Sequence, residues 1–358
     1  MNLHLDSLGI PSLNIPNLLE EIRPHLVEKI NHKTKPIGSL GRLEELAIQI
    51  GLIQNNLCPK INNPTLLIFA ADHGIAKDGV SAYPQEVTYQ MVLNFLGNGA
   101  AANVFSKLNG LDLKVIDAGI NYEFNGLEGL IHKKIDKGTR SFLNEPAMSH
   151  SHVQECFLKG AEISFEAYRS DTNLLAFGEM GIANTSSSSL LSSILIKKPL
   201  DQLVGTGTGL DSIGLKKKFE ILNHALNRFH QDFPNPSILD IFANFGGFEI
   251  LMMAGAMLEA ASLKMLVLVD GFISTAAYLC AYSLNPSIEQ YAIFSHLSGE
   301  LGHQYQLEFL KKIPLLNLGL RLGEGSGAIL AFPILKAAIS MINEMASFQS
   351  AGVSTQNL

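Results

Sequence analysis

The sequence predicts a doubly wound α/β protein: a mostly parallel six-stranded sheet with helices on both faces, plus a small helical domain built from the two chain ends. Three observations predict it. Apolar runs of strand length recur along the chain, each ending in glycine beside an acidic or polar residue. Stretches with helical periodicity separate these runs, and buried strands alternating with helices make a parallel sheet wrapped on both sides. The first sixty residues lack a strand pattern altogether.

In chain order, residues 17–30 and 43–57 read as helices around the loop 33–41, and they are expected to pack with a last helix over 329–345. Residues 1–60 and 331–358 then form the small domain, and 61–330 the large one. The polar tail from 347 is expected to fray. The six strand candidates are 66–70, 113–116, 174–177, 238–242, 265–269 and 313–318, with intervening helices over 87–107, 153–169, 248–263 and 274–281. Right-handed crossovers bring all six glycine-rich strand ends to one edge, where open α/β sheets bind ligands.

Composition narrows the function. A chain of 358 residues, 47% hydrophobic and 16% charged, is ordinary for a globular protein. A net charge of −7 without a long basic tract excludes nucleic acid as the main partner. Cys58, Cys156 and Cys280 form no C-x-x-C pair, so neither a disulfide framework nor a zinc knuckle is suggested. The start carries no basic and apolar leader, and no uninterrupted apolar stretch of bilayer length follows, so a cytoplasmic protein without a membrane span is expected.

The most informative stretch is Gly323-Glu324-Gly325-Ser326-Gly327. An acid between glycines at a strand end is placed for chemistry, which makes Glu324 the first candidate for a catalytic base; the same glycines would also suit an awkward turn that merely exposes Glu324. Gly178-Glu179-Met180-Gly181 supplies a second strand-end acid, and Asn184-Thr185 after it would open a helix whose free N–H groups can bind an anion or simply be capped. Gly205-Thr206-Gly207-Thr208-Gly209, followed by Lys216-Lys217-Lys218, suggests a phosphate cradle or a flexible loop. It fits neither a Walker A loop nor a dinucleotide fingerprint.

Asp72-His73 ends the first strand, but adjacent residues on an extended chain point to opposite faces, which disfavours a metal there. Ser81, Tyr83 and Gln90 could line a pocket for a planar ring or serve as core and capping residues. His296 and His303 flank Glu300 without forming H-E-x-x-H, so a polar structural or dimer-contact segment is the better reading. No G-x-S-x-G elbow supports a hydrolase triad.

Together, Lys35-Pro36 through Glu44, Ala71-Asp72-His73-Gly74, residues 80–88, Gly178 to Gly181, Asn184-Thr185, Gly205 to Gly209, Asp270-Gly271-Phe272, Ser295 to His303 and Arg321 to Gly327 resemble the nicotinate-nucleotide:dimethylbenzimidazole phosphoribosyltransferase family, in order across residues 33–330. The resemblance implies transfer of phosphoribose from nicotinate mononucleotide to 5,6-dimethylbenzimidazole with inversion at the anomeric carbon, in assembly of the cobamide nucleotide loop. It implies Glu324 as general base and Glu179 beside the ribose or the displaced ring. Gly181, Gly207, Thr208 and Lys218 would hold phosphate; Tyr83 and Gln90 would help to form the benzimidazole pocket; and Ser81, Asn184, Gly323 and Gly325 would complete the substrate-binding set.

It further implies a homodimer, and neither a cofactor nor a metal. Two positions depart from the family: Ala183 stands where glycine is usual, and Ser186 to Ser189 where alanine is common. Ala183 demands either an ordinary backbone conformation or some strain. The runners-up are a nucleotide-dependent oxidoreductase, disfavoured by the missing fingerprint, and a nucleotide or azole sensor that has lost its chemistry.

Overall fold

A computed structural model of the chain describes residues 14–124, 126–207 and 209–354. Its first helices are α1 (Arg23–Asn31) and α2 (Arg42–Ile53), followed by β1 (Thr65–Ala71), α3 (Val87–Leu96), α4 (Ala101–Asn109), β2 (Asp112–Gly119) and β3 (Leu130–His132). Next come α5 (His150–Arg169), β4 (Leu174–Met180), α6 (Asn184–Ile196), α7 (Ser212–Asp232), α8 (Ile238–Phe245), α9 (Phe248–Ser262) and β5 (Leu266–Val269). The chain closes with α10 (Phe272–Leu284), β6 (Ala292–Phe294), α11 (Leu301–Leu310), α12 (Ser326–Glu344) and α13 (Phe348–Ala351).

The six strands form one sheet in the order β3-β2-β1-β4-β5-β6, and every pair is parallel. All seven residues of β1 are buried, as its central position between two helical layers requires. From β1 the chain moves outward to β2 and β3, then returns to place β4 on the other side of β1. That reversal is the topological switch point, the region near which open α/β sheets bind ligands beyond their strand ends.

Four of the six expected strands are present, and two are corrected. Residues 238–242 belong to a helix: Ser237 Oγ accepts the Asp240 N–H at 3.2 Å while Asp240 Oδ2 accepts the Ser237 N–H at 2.8 Å. This reciprocal cap outweighs the apolar run behind it. Residues 313–318 are not a strand either. Leu316 makes a single parallel bridge to His296 beyond the end of β6, and Ile313 and Leu318 on either side are exposed. The missing two strands, β3 and β6, are three residues long each. The expected helix over 87–107 is broken into α3 and α4 at Gly97-Asn98-Gly99.

The chain ends meet. Lys33 bridges Ser347 and donates from Nζ to the Met345 carbonyl, while α12 packs on α2 and α4. Lys35 and Glu44 pair at 2.8 Å with both side chains largely buried, which pins the loop before α2. The tail is more ordered than expected as far as Ala351, because Ser347 Oγ accepts the Ser350 N–H and caps α13. α12 has the length and mean hydropathy of a membrane-crossing helix, but Lys336 interrupts it and 56% of its apolar window is buried inside the fold.

Ser186 to Ser189 are wholly buried in the first turns of α6, where small side chains let the helix pack closely; Ser187 donates to the Phe245 carbonyl and Ser189 to that of Leu203. Just before them Ala183 has φ of +76° and is 5% exposed, so of the two conformations open to it the chain adopts the strained one. A left-handed conformation costs a residue with a Cβ roughly 1–2 kcal/mol, and more when the Cβ is branched. Ala183→Gly is therefore expected to change stability by less than about 1 kcal/mol, relief of strain being offset by lost burial and greater unfolded-state entropy. Ala183→Val should lose more than about 2 kcal/mol. Urea unfolding of both variants checks this; a valine no worse than the glycine would exclude a left-handed backbone here.

Candidate active site

The crevice at the carboxyl ends of β4, β5 and β6 is floored by Glu179, Gly181, Asn184 and Asp270 and walled by Gly207, His296, Glu300, Arg321, Gly323 and Glu324. The key segment is the turn before α12. Gly323, Glu324 and Gly325 have φ of +84°, +61° and +76°, three left-handed residues in succession. Glycine adopts this freely on either side, while Glu324 is held there against its preference.

What holds Glu324 is partly the absence of a side chain at Gly178 in β4, where a Cβ would lie 2.6 Å from the Glu324 carbonyl carbon and the Gly325 nitrogen. The turn rests directly on the strand. Glu324 is 6% exposed, and Oε2 has no hydrogen-bond partner among the described residues. Burial raises its pKa above the ordinary 4.5, opposed by the backbone N–H of Ala102 at the start of α4 and assisted by the charge of Asp270. A buried carboxylate with an open oxygen and raised basicity has the properties of a general base.

Glu179 lies directly across from it, so close that a Cβ at Gly323 would collide with Glu179 Oε1. Burial lifts its pKa to about 8, against the Asn184 side-chain N–H, which donates to Oε2, and with the charges of Glu249, Asp270 and Glu324. At neutral pH Glu179 therefore carries a proton and can donate a hydrogen bond. Asn184 opens α6 without capping it; its amide is committed to Glu179 instead.

The phosphate-cradle residues meet at the other end of the crevice. Lys218 of α7 is fully buried and donates to Thr185 Oγ1 at 2.9 Å and the Gly205 carbonyl at 3.3 Å, whereas Lys216 and Lys217 are not buried. Burial lowers the Lys218 pKa to about 8, opposed by the charge of Glu300. Gly207 has φ of +55°, and its N–H faces the Glu300 carboxylate. Thr208 lies outside the described residues.

Of the residues singled out by sequence, Glu179, Gly181, Asn184, Gly207, Gly323 and Glu324 line one crevice, Lys218 stands behind Gly207, and Gly325 packs its Cα against β4. Ser81, Tyr83 and Gln90 do not line it; Tyr83 is 52% exposed at the turn before α3, and Gln90 is exposed on α3. Asp270 and Arg321 stand in motifs to which the sequence assigns no separate role, and the segment from His296 to His303, read as structural or dimer-contact, instead brings His296 and Glu300 into the crevice wall. Their signal was present for Asp270, an acid at a strand end, and absent for the others, whose placement depends on the path after β6.

The histidines separate cleanly. His303 Nδ1 accepts the Ser298 N–H at 2.9 Å, so its Nε2–H donates to Thr275 Oγ1 at 3.0 Å; buried and pushed down to about 3, it is a neutral structural residue. His73 pairs with Glu249 at 2.6 Å, both fully buried, while Asp72 turns away to accept the Asn121 N–H at 2.8 Å. No three His, Cys, Asp or Glu side chains among the described residues are grouped to hold a metal ion.

Comparison with known proteins gives a consistent relationship. Residues 15–353 match the family described as Phosphoribosyltransferase. A protein of Cupriavidus taiwanensis named nicotinate-nucleotide--dimethylbenzimidazole phosphoribosyltransferase is 50% identical over 341 residues, covering 95% of this chain and 98% of that one. A protein of the same name from Dechloromonas aromatica is 48% identical over 352 residues, covering 98% and 99%. The crystal structure of CobT from Thermus thermophilus superimposes with a TM-score of 0.90 at 39% identity, over 94% of this chain and all of that one. The six-stranded sheet, the crevice at the carboxyl ends of β4, β5 and β6 and similarity over nearly the whole length agree: the chain belongs to this phosphoribosyltransferase family.

Proposed function

We propose that the protein transfers phosphoribose from nicotinate mononucleotide to 5,6-dimethylbenzimidazole or a related base, giving α-ribazole 5′-phosphate and nicotinate for the nucleotide loop of a cobamide. The observation that carries this reading is Glu324, a buried carboxylate with one unpartnered oxygen, in the lining of a crevice that Gly207 also lines with Lys218 behind it. Those two features match the chemistry. Phosphate would be held by Lys218 and by backbone N–H groups around Gly207 and Gly181, with Thr208 assigned the same role from sequence.

Glu324 takes the proton from the benzimidazole N–H. The opposite ring nitrogen attacks C1′, the bond from C1′ to the pyridinium nitrogen breaks, and its electron pair leaves with nicotinate. Attack opposite the leaving group inverts the anomeric centre. Because the pyridinium departs as a neutral ring, no strong acid is needed for it, and proton removal with alignment of the two rings supplies the rate. Glu179, protonated at neutral pH, donates to the ribose or to the displaced ring. Ser81, Tyr83 and Gln90 are retained as candidates for the base pocket, which requires the segment before α3 to approach the crevice in the assembled enzyme.

That assembly is proposed to be a cytoplasmic homodimer. Ile37, Ile213, Ile313 and Leu318 are 60–78% exposed, the kind of apolar surface a second subunit would cover. The division into a helical domain of residues 1–60 with 331–358 and a catalytic domain of 61–330 is proposed on the same footing, supported by the packing of α12 on α2.

The direct test incubates the protein with both substrates and follows nicotinate and α-ribazole phosphate by chromatography. Wild type should form both, and Glu324→Gln should lower kcat by about 10²–10⁴. Equal rates would remove Glu324 as base; binding of the mononucleotide without turnover would favour a sensor. The pH profile provides a second test. The rate should rise as pH passes the raised pKa of Glu324, so the acid limb lies above 4.5. It should fall near pH 8, where Glu179 loses its proton and Lys218 its charge. Because the two titrate together, the alkaline limb of kcat/KM belongs to both. A profile flat from pH 7 to pH 9 would exclude these assignments.

A further inference from the structure

We infer that Asp270 is a positioning residue for Glu324: it caps the helix that follows the catalytic turn, and it is itself seated by His296. The inference rests on the assignment of Glu324 as base and extends it to the group that keeps the base in place.

α12 begins immediately after three left-handed residues, and its own N-cap, Gly325, has no side chain with which to hold the first turn. Asp270, at the end of β5, supplies that cap from another part of the chain. Its Oδ1 accepts the Ala328 N–H at 2.9 Å, and the N–H groups of Gly327 and Gly325 also face its carboxylate. An anion at a helix N-terminus is favourable both for the orphan N–H groups and for the helix dipole. Since Gly325 directly follows Glu324, the hydrogen bonds that fix the start of α12 also fix the Glu324 backbone.

His296 completes the arrangement. It is 3% exposed, its Nδ1 stands 3.6 Å from Asp270 Oδ1 and 3.1 Å from Ser295 Oγ, and its ring fills the space where a Cβ at Gly327 would be. The imidazole therefore presses on the first turn of α12 from the side while Asp270 holds its end. β4 through Gly178, β5 through Asp270 and β6 through His296 each contribute one contact to the same turn. A misplacement of about 1 Å at a reacting group can cost about 10²-fold in rate, which sets the scale of the expected effect.

The test is a double-mutant cycle in the full-length protein with nicotinate mononucleotide and 5,6-dimethylbenzimidazole. Asp270→Asn should lower kcat by about 10–10²-fold while the KM for the mononucleotide changes less than about threefold. In the Glu324→Gln background the same substitution should lower the residual kcat by less than about twofold, because the base it positions is already gone. An equal loss in both backgrounds, a KM that rises in step with the loss, or an unchanged kcat would each overturn the inference. His296→Gln, which leaves the Asp270 cap in place, should show a smaller loss with the same non-additivity, and it decides the question if Asp270→Asn does not fold. A wild type that forms no product would overturn the assignment of Glu324, and this inference with it; a wild type that turns over while the two losses add overturns this inference alone.

Discussion

The contact on which the site depends is the seating of the Gly323-Glu324-Gly325 turn on Gly178 of β4. A left-handed glutamate is unfavourable by itself, so it persists only where its surroundings fix it more strongly than it resists. Here the strand below lacks a Cβ, the helix beyond is capped by Asp270, and the neighbouring residues on both sides are glycines. Within the turn, strain is confined to the one residue whose side chain must enter the crevice.

The same seating determines the electrostatics. It brings Glu324 against Glu179 in a region from which water is largely withdrawn, with Asp270 close enough to influence both and Glu249 close enough to influence Glu179. Carboxylates so placed do not all ionise at neutral pH, because burial and their mutual repulsion both favour the protonated form. Burial lifts Glu179 to about 8 against the Asn184 amide, and it raises Glu324 against the Ala102 N–H. The proposed base and the proposed hydrogen-bond donor are thus two identical side chains set side by side. Positive charge comes from Lys218 at the cradle end and from Arg321 in the crevice wall, and Glu300 feels both.

Much of this was legible in the sequence, for identifiable reasons. β1, β2, β4 and β5 announced themselves by apolar runs ending in Gly-acid pairs, and the acids Glu179 and Glu324 were found by the same signal. β3 and β6 were not found because three residues carry no periodicity. Residues 238–242 were misread because an apolar run looks alike in a buried strand and in a short buried helix; the Ser237 and Asp240 capping pair was the better guide. Residues 313–318 resemble a strand in composition, yet Pro314 cannot donate to a ladder, and only one bridge forms. Asp270 was visible as a strand-end acid, but its task was not, since the N–H groups it serves include one 58 residues further along.

The strand order also explains why fold alone would have misled. A sheet ordered β3-β2-β1-β4-β5-β6 is shared with dinucleotide-binding proteins, whose pyrophosphate rests on a glycine-rich turn after β1. In this chain the corresponding turn is Asp72-His73-Gly74, with His73 locked to Glu249 beneath the surface, and a short 3₁₀ turn follows where a helix would have presented its N–H groups. The proposed anion-binding residues lie instead across the switch point, at β4, α6 and α7. Gly181, Asn184 and Lys218 are gathered there, and the two buried acids are directed into the same crevice. The crevice is inherited from the topology, but its chemistry is set by which strand end carries the glycines, and here that is β4 rather than β1.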